Sequence, residues 1–180
     1  VPGFPPYLGE LVSAIAEFAE GTGVELRGFT DEYGALVAGW AGDAREVALL
    51  SGREEYPFPA DLIRSWRKID PDIQSYLFFA GDQPVGYGEV WLDDEEVELA
   101  RLIVDPSERG KGIGAELVRA LLKPAIAAGH PDIFLRVRSD NAVAIKTYLN
   151  VGFVDVSQQE MDEWNAGQPV AYRWMRYATG

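Results

Sequence analysis

One stretch limits the fold of this chain more than any other. An apolar run, Val97 to Val104, leads through a polar loop into Arg109-Gly110-Lys111-Gly112-Ile113-Gly114, and the chain continues from Gly112 to about Ala128 with the pattern of a long amphipathic helix that Pro124 should kink. A second apolar strand pattern, Ile133 to Val137, follows at once. Strand, helix and strand in that order supply the crossover that parallel pairing requires. The three alternating glycines allow a tight turn and close approach of a ligand to N–H groups at a helix N-terminus, where the macrodipole is positive. Arg109 and Lys111 add charge there. Such a loop suits a pyrophosphate better than a lone carboxylate.

The rest of the chain reads around this unit. Leu11, Ile15 and Phe18 make a helical stripe, ended by Gly21-Thr22-Gly23. Val24 to Phe29 is strand-like, Thr30 or Asp31 is an N-cap for a helix to about Ala41, and a further helix spans Pro59 to Ile69. Gly42 to Tyr56 between them reads as a mobile connection. Ser75 to Ala80 and Val85 to Leu92 are strands about a Gly81-Asp82 hairpin, with Gly86 and Gly88 weakening the second. Asp140 or Asn141 caps a helix ending near Asn150, and a final pair of strands runs from Gly152-Phe153 to Tyr177. The expected architecture is α/β (α+β), a mixed central sheet of about six or seven strands flanked by helices. Residues 1–23 form an N-terminal extension and 24–180 the main domain.

Composition removes several function classes. The chain has no cysteine, which excludes a disulfide framework, thiolate metal sites and a cysteine nucleophile, and its one histidine, His130, has no second histidine with which to share a metal. No metal site is expected. The net charge of −13 argues against nucleic-acid binding. Charge distribution says more, since Arg101 to Lys146 holds eight basic residues against five acidic ones and so is locally positive. An anionic ligand belongs near that segment. No apolar run nears the roughly 20 residues of a membrane span, and no signal-peptide pattern opens the sequence, so a cytoplasmic location without membrane association is expected.

Two phosphate-binding motifs fail on the residues. A Walker A loop needs Ser or Thr after its lysine, where Gly112 stands, and a dinucleotide fingerprint needs a longer third interval than Gly110-x-Gly112-x-Gly114 provides. The segment instead resembles the GNAT N-acetyltransferases, whose phosphate loop runs Arg/Gln-x-x-Gly-x-Gly/Ala after an apolar strand, matched by Arg109, Gly112 and Gly114 behind Leu102-Ile103-Val104. A second stretch, Asn141 through Ala144 and Tyr148 to Gly152-Phe153, is similar to the family's Asn-x-x-Ala-x-x-x-Tyr-x-x-x-Gly-Phe signature. The likeness covers about Val24 to Tyr177 and is strongest from Glu98 to Phe153.

The resemblance implies an acyl-CoA-dependent N-acyltransferase that moves an acetyl group from acetyl-CoA directly to a primary amine. It implies that Val97 to Val104 and Ile133 to Val137 lie parallel and splay into a V-shaped cleft for the pantetheine arm. Backbone groups at Leu102, Ile103 and Val104 would line the arm, and Arg109, Gly110, Lys111, Gly112, Ile113 and Gly114 would hold the pyrophosphate. Asn141 would either meet the pantetheine or cap its own helix. A lysine-like amine has a reference pKa near 10.4, so the neutral nucleophile costs about 4 to 5 kcal/mol at pH 7 and a base must assist. Glu98 is the first candidate, as it shares side-chain parity with Leu102 and Val104 if no bulge intervenes; Glu96 and Glu89 are the others, and a structural ion pair with a residue such as Arg101 is the competing role. Tyr148 matches the family's general acid, against the alternative of a core tyrosine. A backbone N–H near Val104 would face the thioester oxygen.

The acceptor is the least legible part. Arg53 to Tyr56 and Glu160 to Trp164 combine acids with aromatic faces suited to a small cationic amine. A protein N-terminus or lysine, or an acyl-CoA sensor without catalysis, are the alternatives. The Leu11, Ile15 and Phe18 stripe needs a partner, either its own sheet or the second subunit of a homodimer.

Overall fold

The computed structural model describes residues 23–94 and 96–179; the stripe from Leu11 to Phe18 and Glu95 lie outside the described residues. Among the described residues seven strands form one sheet: β1 (Val24–Gly28), β2 (Ile73–Ala80), β3 (Gln83–Leu92), β4 (Val97–Val104), β5 (Asp132–Arg138), β6 (Val154–Asp155) and β7 (Tyr172–Ala178). Their spatial order is β1-β2-β3-β4-β5-β7-β6. Only β4 and β5 run parallel, joined by the helix α4 introduced below, as the strand-loop-helix-strand pattern requires. The remaining pairs are antiparallel.

The helices are α1 (Gly34–Gly39), α2 (Ala44–Ser51), α3 (Ala60–Ile69), α4 (Ile113–Ala127), α5 (Ala142–Val151) and α6 (Gln158–Asn165). Strand alternation sorts the core into two halves. On one face Leu117, Val118, Leu121 and Leu122 of α4 pack on Phe78, Val85, Val90, Val97, Leu99, Ile133 and Leu135. On the other, Val37, Trp40, Val47, Ile63 and Trp66 pack on Leu77, Phe79, Tyr87 and Ile103. Among the described residues no helix is long and apolar enough to cross a membrane.

Three expectations change. The connection from Gly42 to Tyr56 contains α2, whose start is fixed by the Asp43 carboxylate accepting from the Glu46 N–H at 2.8 Å and whose Val47 and Leu50 are buried. The final strand pair is interrupted by α6, begun by a reciprocal capping box between Ser157 and Glu160. The helix expected from Thr30 or Asp31 to Ala41 is a 3₁₀ turn, Asp31–Tyr33, followed by α1, and Thr30 makes no side-chain cap. α4 continues through Pro124, which falls in its last turn.

Gly86 and Gly88 have a packing reason for being glycine. A Cβ on Gly86 would stand 3.2 Å from Leu117 Cδ2, and one on Gly88 only 2.6 Å from Leu121 Cδ1, so both admit α4 close against β3. Gly88→Val should therefore lower stability by about 2 kcal/mol through overpacking, read as a reduced urea midpoint with an unchanged slope.

Candidate active site

The site begins where β4 leaves β5. These strands pair only at Val97↔Ile133 and Glu98↔Phe134, whereas β5 pairs with β7 from Asp132 to Arg138. From Leu99 to Val104 the edge of β4 away from β3 has no strand partner among the described residues. The Asp105 N–H bonds Val85 O on the β3 side at 2.9 Å, so by alternation the backbone groups of Val104 and Leu102 face the open edge. Ile103 turns its backbone to Tyr87 of β3 and its side chain into the second core.

A bulge accompanies the divergence. Between the pairs Glu89↔Ala100 and Tyr87↔Ile103, β4 contains one residue more than β3, and Arg101 holds φ at 51°. The extra residue reverses the alternation. Val97 and Leu99 face α4 before the bulge, and Leu102 and Val104 face it afterwards. Glu98 consequently lies on the opposite face from Leu102 and Val104, which corrects the expected shared parity.

At the other end of β4 the loop is shaped for an anion. Asp105 accepts from the Ser107 N–H and hydroxyl, both at 2.8 Å. Gly110 and Gly112 then take φ of 76° and 87°. Nothing lies within 4 Å of a Cβ built on either, so the left-handed backbone, rather than crowding, demands glycine there. The Ile113 and Gly114 N–H groups precede the helical ladder, whose first amide is Ala115, bonded to Gly112 O at 3.1 Å. Open space above left-handed glycines and leading N–H groups at the start of α4 fit a pyrophosphate. Lys111 is exposed and pairs with Glu108 at 3.2 Å. Arg109 points elsewhere: its guanidinium bonds Val104 O at 3.1 Å, Trp40 O at 2.9 Å and both carboxylate oxygens of Glu46 at 2.5 and 3.3 Å.

On the face opposite α4, Glu98 and Glu89 occupy different environments. Glu89 is fully buried and accepts from Tyr87 Oη at 2.5 Å, Trp91 Nε1 at 2.6 Å and an Arg101 nitrogen at 3.1 Å. Arg101 lies 3.8 Å from the Trp66 ring centre and 4.9 Å from that of Trp91. Glu98, at the last paired position before the splay, meets Arg136 Nε at 3.0 Å through one oxygen. Its ion-pair partner is thus Arg136 rather than Arg101. Burial pushes the Glu98 carboxyl up to about 7 despite that arginine. Burial also raises Glu89, against the pull of Arg101 and the hydrogen bonds from Tyr87 and Trp91. Glu96 belongs to the turn before β4, where its carbonyl accepts from Asp93 N–H. Sequence reasoning missed Arg136 and Trp91 as neighbours of Glu98, and Trp174 as a neighbour of Arg136; the signal for the first lay in the alternation of β5, which puts Arg136 on Glu98's face, and for Trp91 in the spacing Tyr87, Glu89, Trp91.

Tyr148 projects from α5 on the α4 side, where it packs against Phe153 with ring centres 6.2 Å apart. Its hydroxyl makes no hydrogen bond among the described residues, and burial pushes its pKa up to about 12. The preceding Thr147 lies 3.7 Å from a Cβ placed on Gly114, which brings α5 beside the loop. Asn141 caps α5 by accepting from the Ala144 N–H at 3.3 Å. Glu98 and Tyr148 therefore stand on opposite faces of the sheet, with the splay between them.

A shallow groove of about 350 Å³ lies between α2 and the end of β5, lined by Ala44, Arg45, Ala48, Leu49, Glu54, Arg138 and Asp140. Asp140 pairs with both Arg45, at 3.3 Å, and Arg138, at 3.4 Å. The acid-rich segment on the far side is committed to structure: Glu160 serves the capping box, Gln158 and Gln159 bond Asp162 and Glu163, and Trp164 packs against Phe134 and Trp174. Among the described residues no group of three or more His, Asp or Glu is placed to hold a metal.

The model of the acetyltransferase (GNAT) family matches residues 41–153. Over 150 residues the chain is 26% identical to an aminoglycoside N(6')-acetyltransferase type 1 of Klebsiella pneumoniae, covering 72% of this chain and 73% of that protein. It is 32% identical over 88 residues to a mycothiol acetyltransferase of Gordonia bronchialis, of which it spans only 29%. The fold is shared with the aminoglycoside acetyltransferase AAC(6')-Ib solved with ribostamycin and coenzyme A, at TM-score 0.69 and 19% identity over 86% of this chain and 93% of the other.

Arg101 neutralises a carboxylate that has no access to water. Arg101→Met should cost about 3 kcal/mol in urea unfolding at pH 7, because it leaves Glu89 buried without its countercharge, and adding Glu89→Gln should recover part of the loss.

Proposed function

The chain belongs to the GNAT acetyltransferase family, and on that premise we propose that it transfers an acetyl group from acetyl-CoA to a primary amine on a small cationic acceptor. The observation that carries this reading is the unpaired edge of β4 from Leu99 to Val104, which leads straight into the left-handed glycines at the start of α4. An extended amide-bearing arm can add to that edge as a strand adds to a sheet, with its pyrophosphate at the N–H groups of Gly112, Ile113 and Gly114. Asn141 keeps its Nδ2 donor for the same arm while its oxygen caps α5.

Acetyl-CoA supplies an activated thioester when bound. The protein then has three tasks. Glu98 takes a proton from the incoming ammonium, directly or through water, with a carboxyl near 7 that is poised for this at neutral pH. The Val104 N–H, on the open edge, donates to oxygen as negative charge develops. Tyr148 offers its hydroxyl to the leaving sulfur. With a pKa near 12 it is a weaker acid than a thiol of reference pKa about 8.5, so it gives the thiolate a hydrogen bond, while the second proton, shed by the nitrogen as the amide forms, passes to the sulfur directly or through water.

Support for a cationic acceptor comes from the net charge of −13 and from Glu54 and Asp140 along the groove beside α2. The aminoglycoside acetyltransferase relative points the same way. The test is thiol release from acetyl-CoA against a panel of aminoglycosides, polyamines, peptide N-termini and neutral amino acids. Turnover confined to peptides would move the acceptor to proteins, and binding of acetyl-CoA without turnover of any amine would make the chain a sensor.

The pH profile separates the groups. kcat/KM should rise through about pH 7 as Glu98 loses its proton, and rise again near the acceptor's own pKa. Glu98→Gln should remove the lower limb and reduce kcat by about 100-fold, whereas Tyr148→Phe should lower kcat about tenfold and leave both limbs in place.

A further inference from the structure

The arginine before the glycines makes contacts that suggest a structural role in this chain, a reading that rests on the proposed acetyl-CoA loop. Arg109 donates to Val104 at the end of β4, to Trp40 beyond α1 and to Glu46 in the first turn of α2. Glu46 is itself held, since one of its oxygens also accepts from the Gly42 N–H at 2.8 Å and its own N–H is bound by Asp43. The fork therefore joins two regions that are distant in sequence: the end of β4 with its loop, and the corner between α1 and α2 with the first turn of α2. Beyond these contacts the loop residues Gly110 and Gly112 have open space where a Cβ would sit. Asp105 and Glu108 brace the loop from within through Ser107 and Lys111, and Arg109 is its tie to the α1–α2 corner.

We propose that Glu46 is a positioning residue for the acetyl-CoA loop: through Arg109 it holds the pyrophosphate-binding backbone in its binding arrangement and ties it to α2, the wall of the acceptor groove, without touching either ligand. Side-chain exposures of 38% for Arg109 and 30% for Glu46 leave the pair partly shielded, so it is stronger than a fully exposed one. α2 also contributes Arg45, Ala48 and Leu49 to the groove, so the same pair fixes the spacing between the groove wall and the loop.

Two other roles make different predictions. If Glu46 only caps α2, Glu46→Gln retains an acceptor for Gly42 and leaves cofactor affinity unchanged. If Glu46 instead restrains an arginine whose proper target is phosphate, neutralising it frees Arg109 and tightens binding. A strut requires the reverse.

The experiment is calorimetric titration of the full chain with coenzyme A, alongside steady-state kinetics with an amine that the wild type acetylates. The wild type, Glu46→Gln, Arg109→Gln and the exchanged pair Glu46→Arg/Arg109→Glu are compared, with thermal melting to confirm that each is folded. Glu46→Gln is expected to weaken coenzyme A about tenfold and raise the acetyl-CoA KM in step, with kcat at saturation within about twofold, and the exchanged pair to recover part of the affinity. Unchanged or tighter binding in a folded Glu46→Gln overturns the strut while leaving the acetyltransferase reading intact. Failure of the wild type itself to bind coenzyme A overturns both.

Discussion

One extra residue in β4 underlies the rest of the site. Without the bulge at Arg101, strict alternation would carry Glu98 to the same face as Leu102 and Val104, under α4, and the carboxylate would sit in the apolar core made by Leu117 and Leu121. With it, the chain buries aliphatic side chains against α4 on both sides of the bulge and still presents Glu98 to the other face. The divergence from β5 begins in the same stretch. A strand that pairs with β5 for two residues and with β3 for its full length can offer an unpaired edge only if something else holds it, and that support is β3.

The bulge is not free. A non-glycine residue at positive φ is strained by about 1 to 2 kcal/mol. Arg101 offsets this with its contacts to Trp66 and Trp91 and its ion pair with the buried Glu89. Glu89 in turn exists as a charge acceptor only because Tyr87, Trp91 and Arg101 all donate to it. The cluster contrasts with Glu98, whose second oxygen is not tied down by such donors. Two carboxylates on the same face of neighbouring strands thus divide into one held by three donors beside a backbone irregularity and one that meets a single arginine and is raised to about 7 by burial.

Much of this was legible in the sequence. The strand from Val97 to Val104, the glycine loop and α4 followed from apolar patterning and from the need of a tight turn for glycine, and the helix capped by Asn141 followed from its cap. The misses have physical causes. α2 is a short helix whose capping pair, Asp43 and Glu46, was passed over because glycine and charge around it resemble a loop; α6 was hidden by its acidic composition, although Ser157 and Glu160 carry the same capping signal. The bulge could not be read, because nothing in Ala100-Arg101-Leu102 marks positive φ as a glycine would. Side-chain parity beyond such a point is lost, which is why Glu98 is expected on the face of Leu102 and Val104 and stands on the other.

The same split explains how one sheet can serve two ligands. Glu98 lies on the face of Trp91 and Arg136, Tyr148 on the face of Leu117, and neither could reach a common reacting centre through a continuous sheet. The gap between β4 and β5 is the passage. An acceptor approaching from the Glu98 side and a thioester lying along the β4 edge would meet within it, with the base on one side of the new bond and the leaving sulfur on the other. The separation also keeps the two groups electrostatically independent. Glu98 is set near 7 by burial against the opposing pull of Arg136, Tyr148 near 12 by burial alone, and neither appears among the causes of the other's shift. On the proposed mechanism, proton removal from the acceptor and stabilisation of the departing thiolate would therefore be set separately by residues on opposite faces of one strand pair.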